Sequence, residues 1–280
     1  MSKRKQVLIA FVVLIIMGGF FYGTSYLREK HEKSIQTIKE NKKIDEIAKA
    51  KEKAVVEKSQ AKTEENNKNL KKSLPKVIVI DPGHASVNSL VKEQQAPGSN
   101  VMKVKEPGGT QGINTKTPEY VVNMDVAVKL RGLLQGKGYT VIMTKTENKQ
   151  LLGNIARAEV GNKAKADLVI RIHADGNNDS SIKGASMLVP TYNRNSNSIY
   201  KWSKKYGEIV FSNLIKEIGM KNRGVVERSD MTGFNWSKVP VILVEMGFQS
   251  NATEDRLLIT SAYQEKIAKA LANGIDLALK

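Results

Sequence analysis

The chain predicts an α/β fold, a twisted and mostly parallel sheet with helices on both faces. Three observations carry that expectation. Val77-Ile78-Val79-Ile80, Leu168-Val169-Ile170-Arg171-Ile172 and Val241-Ile242-Leu243-Val244 are short apolar runs of the kind that form strands buried on both faces. Amphipathic helical stretches alternate with the strands, and that alternation implies right-handed crossovers and a doubly wound sheet. Each run also ends on a chemically capable group: Asp81-Pro82-Gly83-His84, His173 and Glu245. In open α/β sheets ligands gather beyond the carboxyl ends of the strands, so residues far apart in sequence can meet there.

Taken in order, the folded domain is expected over 76–280, opening with the strand 77–80 after Pro75. The stretch 85–117 is rich in Gly, Pro, Asn, Gln and Lys, and its length without an apolar run predicts a mobile flap beside the site. Thr117-Pro118-Glu119 then supplies an N-cap, a proline at the first helical position and an acidic first turn. Val122, Val126, Leu130, Leu133 and Leu134 follow at helical spacing, and Gly136 and Gly138 end the helix. A strand at 139–144 and a helix at 154–165 lead to the strand that ends at His173. A strand at 185–189 is stopped by Pro190, and a helix at 199–218 is expected to turn Trp202, Tyr206, Ile209, Val210 and Leu214 inward. A short strand at 224–226, the strand 241–244 and a helix at 262–279 complete the domain. No internal repeat is present.

The first 75 residues read differently. Lys3, Arg4 and Lys5, a short cytoplasmic tail over 1–5, precede an uncharged run rich in Val, Ile, Leu and Phe. Taken over 6–27 it approaches the roughly 20 residues that cross a bilayer as a helix. The positive flank keeps the start inside, so the rest is exported. A cleaved signal peptide is the alternative, with Gly23 and Ser25 as small residues near a cleavage point. Bulky Phe20, Phe21 and Tyr22 and the length of the run favour an uncleaved signal-anchor. From 28 to 75 the composition turns to Lys, Glu, Asn, Gln and Ala, a charged, partly helical linker. Ile35, Ile38, Ile44 and Ile47 leave a short dimerising coiled coil as the sharper alternative, and His31 sits among charges as a surface residue.

Composition narrows the chemistry. The 280 residues are 40% hydrophobic and only 6% aromatic, and they carry three histidines and no cysteine. Disulfides, thiolate metal sites and a cysteine nucleophile are excluded together, so any metal must be held by imidazole and carboxylate. The formal charge of +17 favours a polyanionic neighbour: nucleic acid, an anionic lipid face or an acidic wall polymer. No zinc-finger spacing or aromatic-basic sheet signature is present, so nucleic acid is not expected.

A catalytic zinc needs three protein ligands and an open position. His84 and His173 supply two, and Glu119, in the first turn of the helix after the flap, is the best-placed acid for the third. Glu245 is then free to take a proton from water activated by the metal and to pass it to a leaving amine. That division of labour suits amide hydrolysis. No Gly-x-Ser-x-Gly elbow supports a serine enzyme. Each residue also has a plain reading: a hydrogen-bonded strand-end histidine, an Asp-Pro-Gly turn, a helix-start charge. Glu245 resists it, because an ionised carboxylate after four apolar residues is costly without a partner.

Val79-Ile80-Asp81-Pro82-Gly83-His84, Glu119 four residues before Asn123, Ile172-His173-Ala174-Asp175, Asn222-Arg223-Gly224 and Leu243-Val244-Glu245-Met246-Gly247-Phe248 with Ser250-Asn251 together resemble the zinc-dependent N-acetylmuramoyl-L-alanine amidases of the amidase_3 type. The resemblance runs over 76–280. It implies a sheet of about six strands, one zinc ion on His84, Glu119 and His173, and Glu245 as the catalytic carboxylate. It also implies a peptidoglycan substrate, cut between N-acetylmuramic acid and the L-alanine of the stem peptide. With the amino-terminal helix in the cytoplasmic membrane, this describes a single-pass enzyme facing the wall of a Gram-positive bacterium. A zinc peptidase acting within the stem, and a non-catalytic wall-binding scaffold, are the rival readings. Three departures from the family stand out: the long 84–119 interval, Arg171 beside His173, where it would repel a metal or recruit a substrate carboxylate, and Thr144-Lys145-Thr146-Glu147.

Overall fold

The structure, a computed structural model, describes residues 75–192 and 197–280. The expectations for 1–5, for the span at 6–27 and for the linker up to residue 74 lie outside the described residues. Among the described residues no helix is long and apolar enough to cross a membrane.

Six strands form one sheet in the order β4-β1-β5-β8-β6-β7. They are β1 (Val77–Pro82), β4 (Thr140–Met143), β5 (Leu168–Asp175), β6 (Ala185–Pro190), β7 (Asn222–Arg228) and β8 (Val241–Phe248). Strands β4, β1, β5 and β8 run parallel, β6 lies antiparallel to β8, and β7 is parallel to β6. The mostly parallel sheet of six strands is therefore present, with one reversal between β8 and β6.

The alternation of side chains along the central strands builds two cores. Ile78, Ile80, Ile170, Ile172, Ile242 and Val244 point to one face. There they meet α1 (Glu119–Gly136), α3 (Asn197–Ile218) and α6 (Ser261–Leu279) through Val126, Leu130, Leu214, Leu271 and Ile275. Val79, Val169, Val241 and Leu243 point to the other face, where Phe234 of α4 (Thr232–Asn235) closes a smaller core beside α2 (Asn154–Ala164). A further short helix, α5 (Ala252–Leu258), follows β8. The chain leaves β1 over one face by α1 to reach β4, then crosses back over the other face by α2 to reach β5. A crevice opens where those two directions part, at the carboxyl ends of β1 and β5.

The smaller core is bordered by buried charge. Asp81, two residues beyond Val79 on the same face, accepts from Arg157 Nη1 and from Arg171 Nε, both at 2.8 Å. All three side chains are at least nine-tenths buried. Burial would raise the Asp81 carboxyl, but Arg157, Arg171 and the Thr144 hydroxyl outweigh it and hold it well below the usual carboxylate range. Arg171 is therefore not free to recruit a substrate carboxylate, while its charge still acts on His173, as the sequence allowed. Its guanidinium is taken by Asp81 and, at 2.7 Å, by Asn154 Oδ1.

Four local expectations are revised. The 85–117 stretch carries an antiparallel hairpin of β2 (Ser89–Gln94) and β3 (Met102–Glu106), with a turn around Pro97-Gly98 in which Ser99 N donates to Ala96 O at 3.0 Å. It is strapped down rather than loose. Glu93 accepts from Asn154 N at 2.6 Å and so supplies the negative charge that α2, preceded by Gly153, lacks at its own start. Trp236 Nε1 reaches Gln94 O at 3.0 Å. Pro118 rather than Thr117 occupies the position before α1, because Glu119 N is already satisfied by Thr110 O at 2.9 Å. Trp202 is 41% exposed and Leu133 is exposed. The buried stripe of α3 runs through Ser203, Gly207, Val210, Phe211 and Leu214, one position beyond Trp202.

Replacing Asp81 by Asn leaves buried Arg171 without a counter-charge and Arg157 with Glu106 alone, and should lower stability by about 3–5 kcal/mol in denaturant unfolding. Because the carboxyl is held below its unfolded value, its contribution is complete above about pH 4 and is lost as pH falls from there. Unfolding curves of the Asn variant should lack that part of the acid slope.

Candidate active site

Three strand ends deliver the site. Gly83 N donates to Ile172 O at 2.9 Å, extending the β1–β5 ladder by one bond before the chain turns sharply out at His84, whose φ is 60°. That left-handed conformation is uncommon for a residue with a side chain. A Cβ on Gly83 would lie 2.2 Å from His173 Cε1, so the position admits no side chain while the imidazole keeps its place. His173 sits in β5 directly opposite Glu245 of β8 in the parallel register. Both side chains share a face, about 4.8 Å apart strand to strand.

Glu119 joins them from the first turn of α1. Its approach is fixed by a loop that Asp255 of α5 pins through Asn114 N at 2.7 Å and Thr115 N at 2.9 Å. The carboxylate is almost wholly buried and multiply bonded. Oε2 accepts from Thr110 N at 2.9 Å, and Oε1 accepts from Asn123 Nδ2 at 3.0 Å and Ala174 N at 3.2 Å. The same two oxygens face His84 Nε2 at 3.3 Å and His173 Nδ1 at 3.0 Å. One ligand atom from each of His84, Glu119 and His173 lies within 4.8 Å of the others. At Gly109, φ is 73° and a Cβ would stand 2.7 Å from Glu119 Oε2, so the loop backbone passes directly over this carboxylate.

The protonation states suit a cation. Burial would raise the Glu119 carboxyl, but His173, His84 and Asn123 together hold it at about 2, so it is ionised at neutral pH. Burial pushes His173 down, which favours the neutral ring that ligates metal. Its Nε2 is buried with no hydrogen-bond partner. Two imidazoles and an anionic carboxylate converging on one point, with no cysteine in the chain, match the nitrogen and oxygen donors of an open zinc site.

Glu106 was missed in the sequence. At the end of β3, its Oε1 lies 2.8 Å from His84 Nδ1, and its Oε2 lies 3.4 Å from Arg157 Nη2. A carboxylate on the far ring nitrogen leaves Nε2 to face the metal position and fixes how the ring is turned. Glu-Pro-Gly-Gly after a strand-like Met102-Lys103-Val104-Lys105 was the available signal, and Pro97-Gly98 marked the hairpin turn that brings it back.

Glu245 completes the set without joining it. Its Oε2 is buried and unpartnered. Burial, then the charges of Glu119 and Asp175, push its carboxyl well above the usual range, against the fields of Arg171 and Arg228. An open cavity of about 640 Å³ brings His84, Glu119, His173 and Glu245 to solvent, with Asp175, Asn177 and Ser250 on its wall. All four residues singled out in the sequence are therefore brought together, on the rim where the strands end.

The chain matches the Amidase_3 family, described as N-acetylmuramoyl-L-alanine amidase, over residues 78–277. It is 27% identical over 206 residues to the N-acetylmuramoyl-L-alanine amidase Rv3717 of Mycobacterium tuberculosis, covering 71% of this chain and 84% of that protein. It is also 27% identical over 197 residues to the N-acetylmuramoyl-L-alanine amidase LytC of Bacillus subtilis, covering 70% of this chain but 34% of LytC. Its fold is shared with the crystal structure of the amidase Ami1 from Mycobacterium abscessus, at a TM-score of 0.68 and 24% identity over 74% of this chain and 100% of that one. With its four strand-end and helix-start residues assembled on one rim and the family match running through nearly all of the folded domain, this chain belongs to the N-acetylmuramoyl-L-alanine amidase family.

Proposed function

We propose that the protein is a zinc-dependent peptidoglycan amidase that hydrolyses the bond between N-acetylmuramic acid and the L-alanine of the stem peptide. The observation that carries the reading is the convergence of His84, Glu119 and His173 within 4.8 Å, with Glu245 paired opposite His173. We further propose export, with residues 6–27 holding the domain on the outer face of the cytoplasmic membrane.

His84, Glu119 and His173 would hold the ion, which supplies Lewis acidity that makes water acidic and nucleophilic near neutral pH. The chain's own residues do the rest. Glu106 keeps His84 turned inward. Asn123 and the Thr110 and Ala174 amides keep Glu119 ionised and aimed. Glu245, on the face of β8 that looks into the cavity, accepts the proton of the attacking water on its carboxylate and returns it to the departing alanine nitrogen. The raised affinity of Glu245 for a proton makes it a better base than an exposed carboxylate.

Glu245→Gln should retain stoichiometric zinc and lose at least about 100-fold in turnover of purified wall; undiminished turnover would remove Glu245 from the mechanism. Mass spectrometry of the wild-type digest should show intact stem peptides with a free L-alanine amine, whereas a cut inside the stem would favour the peptidase reading. Glu245 works ionised and its carboxyl is raised, so kcat/KM should fall on the acid side along a limb centred above about pH 4.3, the ordinary glutamate value. A limb at or below that value would point to another base. Glu106→Ala should weaken zinc binding about 10- to 100-fold in chelator competition, with the fold intact by circular dichroism.

A further inference from the structure

We propose that the end of the domain where β1, β5 and β8 begin is a docking surface for an anionic lipid bilayer, centred on Trp202. The proposal rests on the reading of residues 6–27 as a membrane span and adds a second, peripheral contact to it.

The start of α3 lies at this end because β6 runs antiparallel to β8. Ser203 Oγ accepts from Val241 N, at the head of β8, at 2.9 Å. Trp202 beside it is 41% exposed, and its ring centroid lies 5.5 Å from that of half-buried Tyr206. Lys205 Nζ stands 5.0 Å from the Trp202 ring. Exposed lysines share this end of the sheet: Lys201 and Lys205 on α3, Lys163 and Lys165 at the end of α2 just before β5, and Lys238 just before β8, against one exposed acid, Asp167, whose charge reaches Tyr206. Tryptophan and tyrosine favour the headgroup level of a membrane, and lysines there are attracted to anionic lipid.

Two further observations select a bilayer. The described residues begin at this same end, with Pro75 just before β1, where Val77 N donates to Asp167 Oδ2 at 2.8 Å. The catalytic cavity lies at the other end of the strands, about 26 Å away for the eight residues of β5. A domain resting on Trp202 would therefore turn its cavity away from the lipid and towards the wall. A sugar would need an open ring face to stack upon, but Lys205 lies over the Trp202 ring and Tyr206 packs beside it. The edge that remains suits an interface.

The chain has two tryptophans, Trp202 and Trp236, so Trp202 can be followed by difference in the full-length protein. Full chain reconstituted with phosphatidylglycerol vesicles should float with them, and brominated phosphatidylglycerol should quench its tryptophan emission at least twofold more than it quenches the Trp202→Phe variant. Brominated phosphatidylcholine should quench it less. Exchanging Lys163, Lys165 and Lys201 for Glu should abolish the excess quenching while flotation persists. Flotation with equal quenching of wild type and Trp202→Phe would overturn the docking surface while leaving the anchor intact. Failure to float would overturn the anchor, and this proposal with it. A Trp202 response to soluble glycan strands but not to brominated lipid would reassign the patch to saccharide and overturn the proposal.

Discussion

The site depends on one buried carboxylate. Glu119 lies between two imidazoles, and three hydrogen bonds from the Thr110 and Ala174 amides and the Asn123 side chain keep it charged where burial alone would neutralise it. An anion in such surroundings is costly unless every lone pair is used. The loop that carries Thr110 is accordingly tied to α5, and α1 starts where that loop returns to the sheet rather than at an ordinary cap. The loop from Gly109 to α1 is shaped around a single charged group.

A second layer of charge lies behind the first. Asp81 joins Arg157 and Arg171, Arg157 reaches Glu106, and Glu106 reaches His84. The face of the sheet that carries the site is therefore held by ion pairs and hydrogen bonds, while the opposite face is sealed by aliphatic packing against three long helices. The division is physically sensible. The aliphatic side supplies most of the hydrophobic stabilisation, and the charged side supplies orientation.

The strands and the four principal residues were legible in the sequence because both signals are local: a β-branched run, and a titratable residue at its end. Glu119 was legible by position, as the first acid of a helix. Glu106 and Glu93 were not, because each acts on a partner brought near only by the hairpin, and a composition rich in Gly, Pro and Lys masked the two strands. In the sequence Arg171 stands as a neighbour of His173. Side chains two apart on a strand do share a face, but Asp81 on the adjacent strand claims the guanidinium first. Helical spacing alone places Trp202 inward, whereas the small residues Ser203 and Gly207 decide which side of α3 approaches the sheet.

The hairpin is secured at both ends by acids with different duties, Glu93 at the start of α2 and Glu106 at His84. Slipping either strand by one residue would swing its acid to the solvent side. Length can change without disturbing these attachments only at the outer turn, 97–100, because Ala96 is buried and Gln95 O accepts from Asn235 Nδ2 at 3.1 Å. The arms must be inherited as a fixed pair, however freely the crown between them varies.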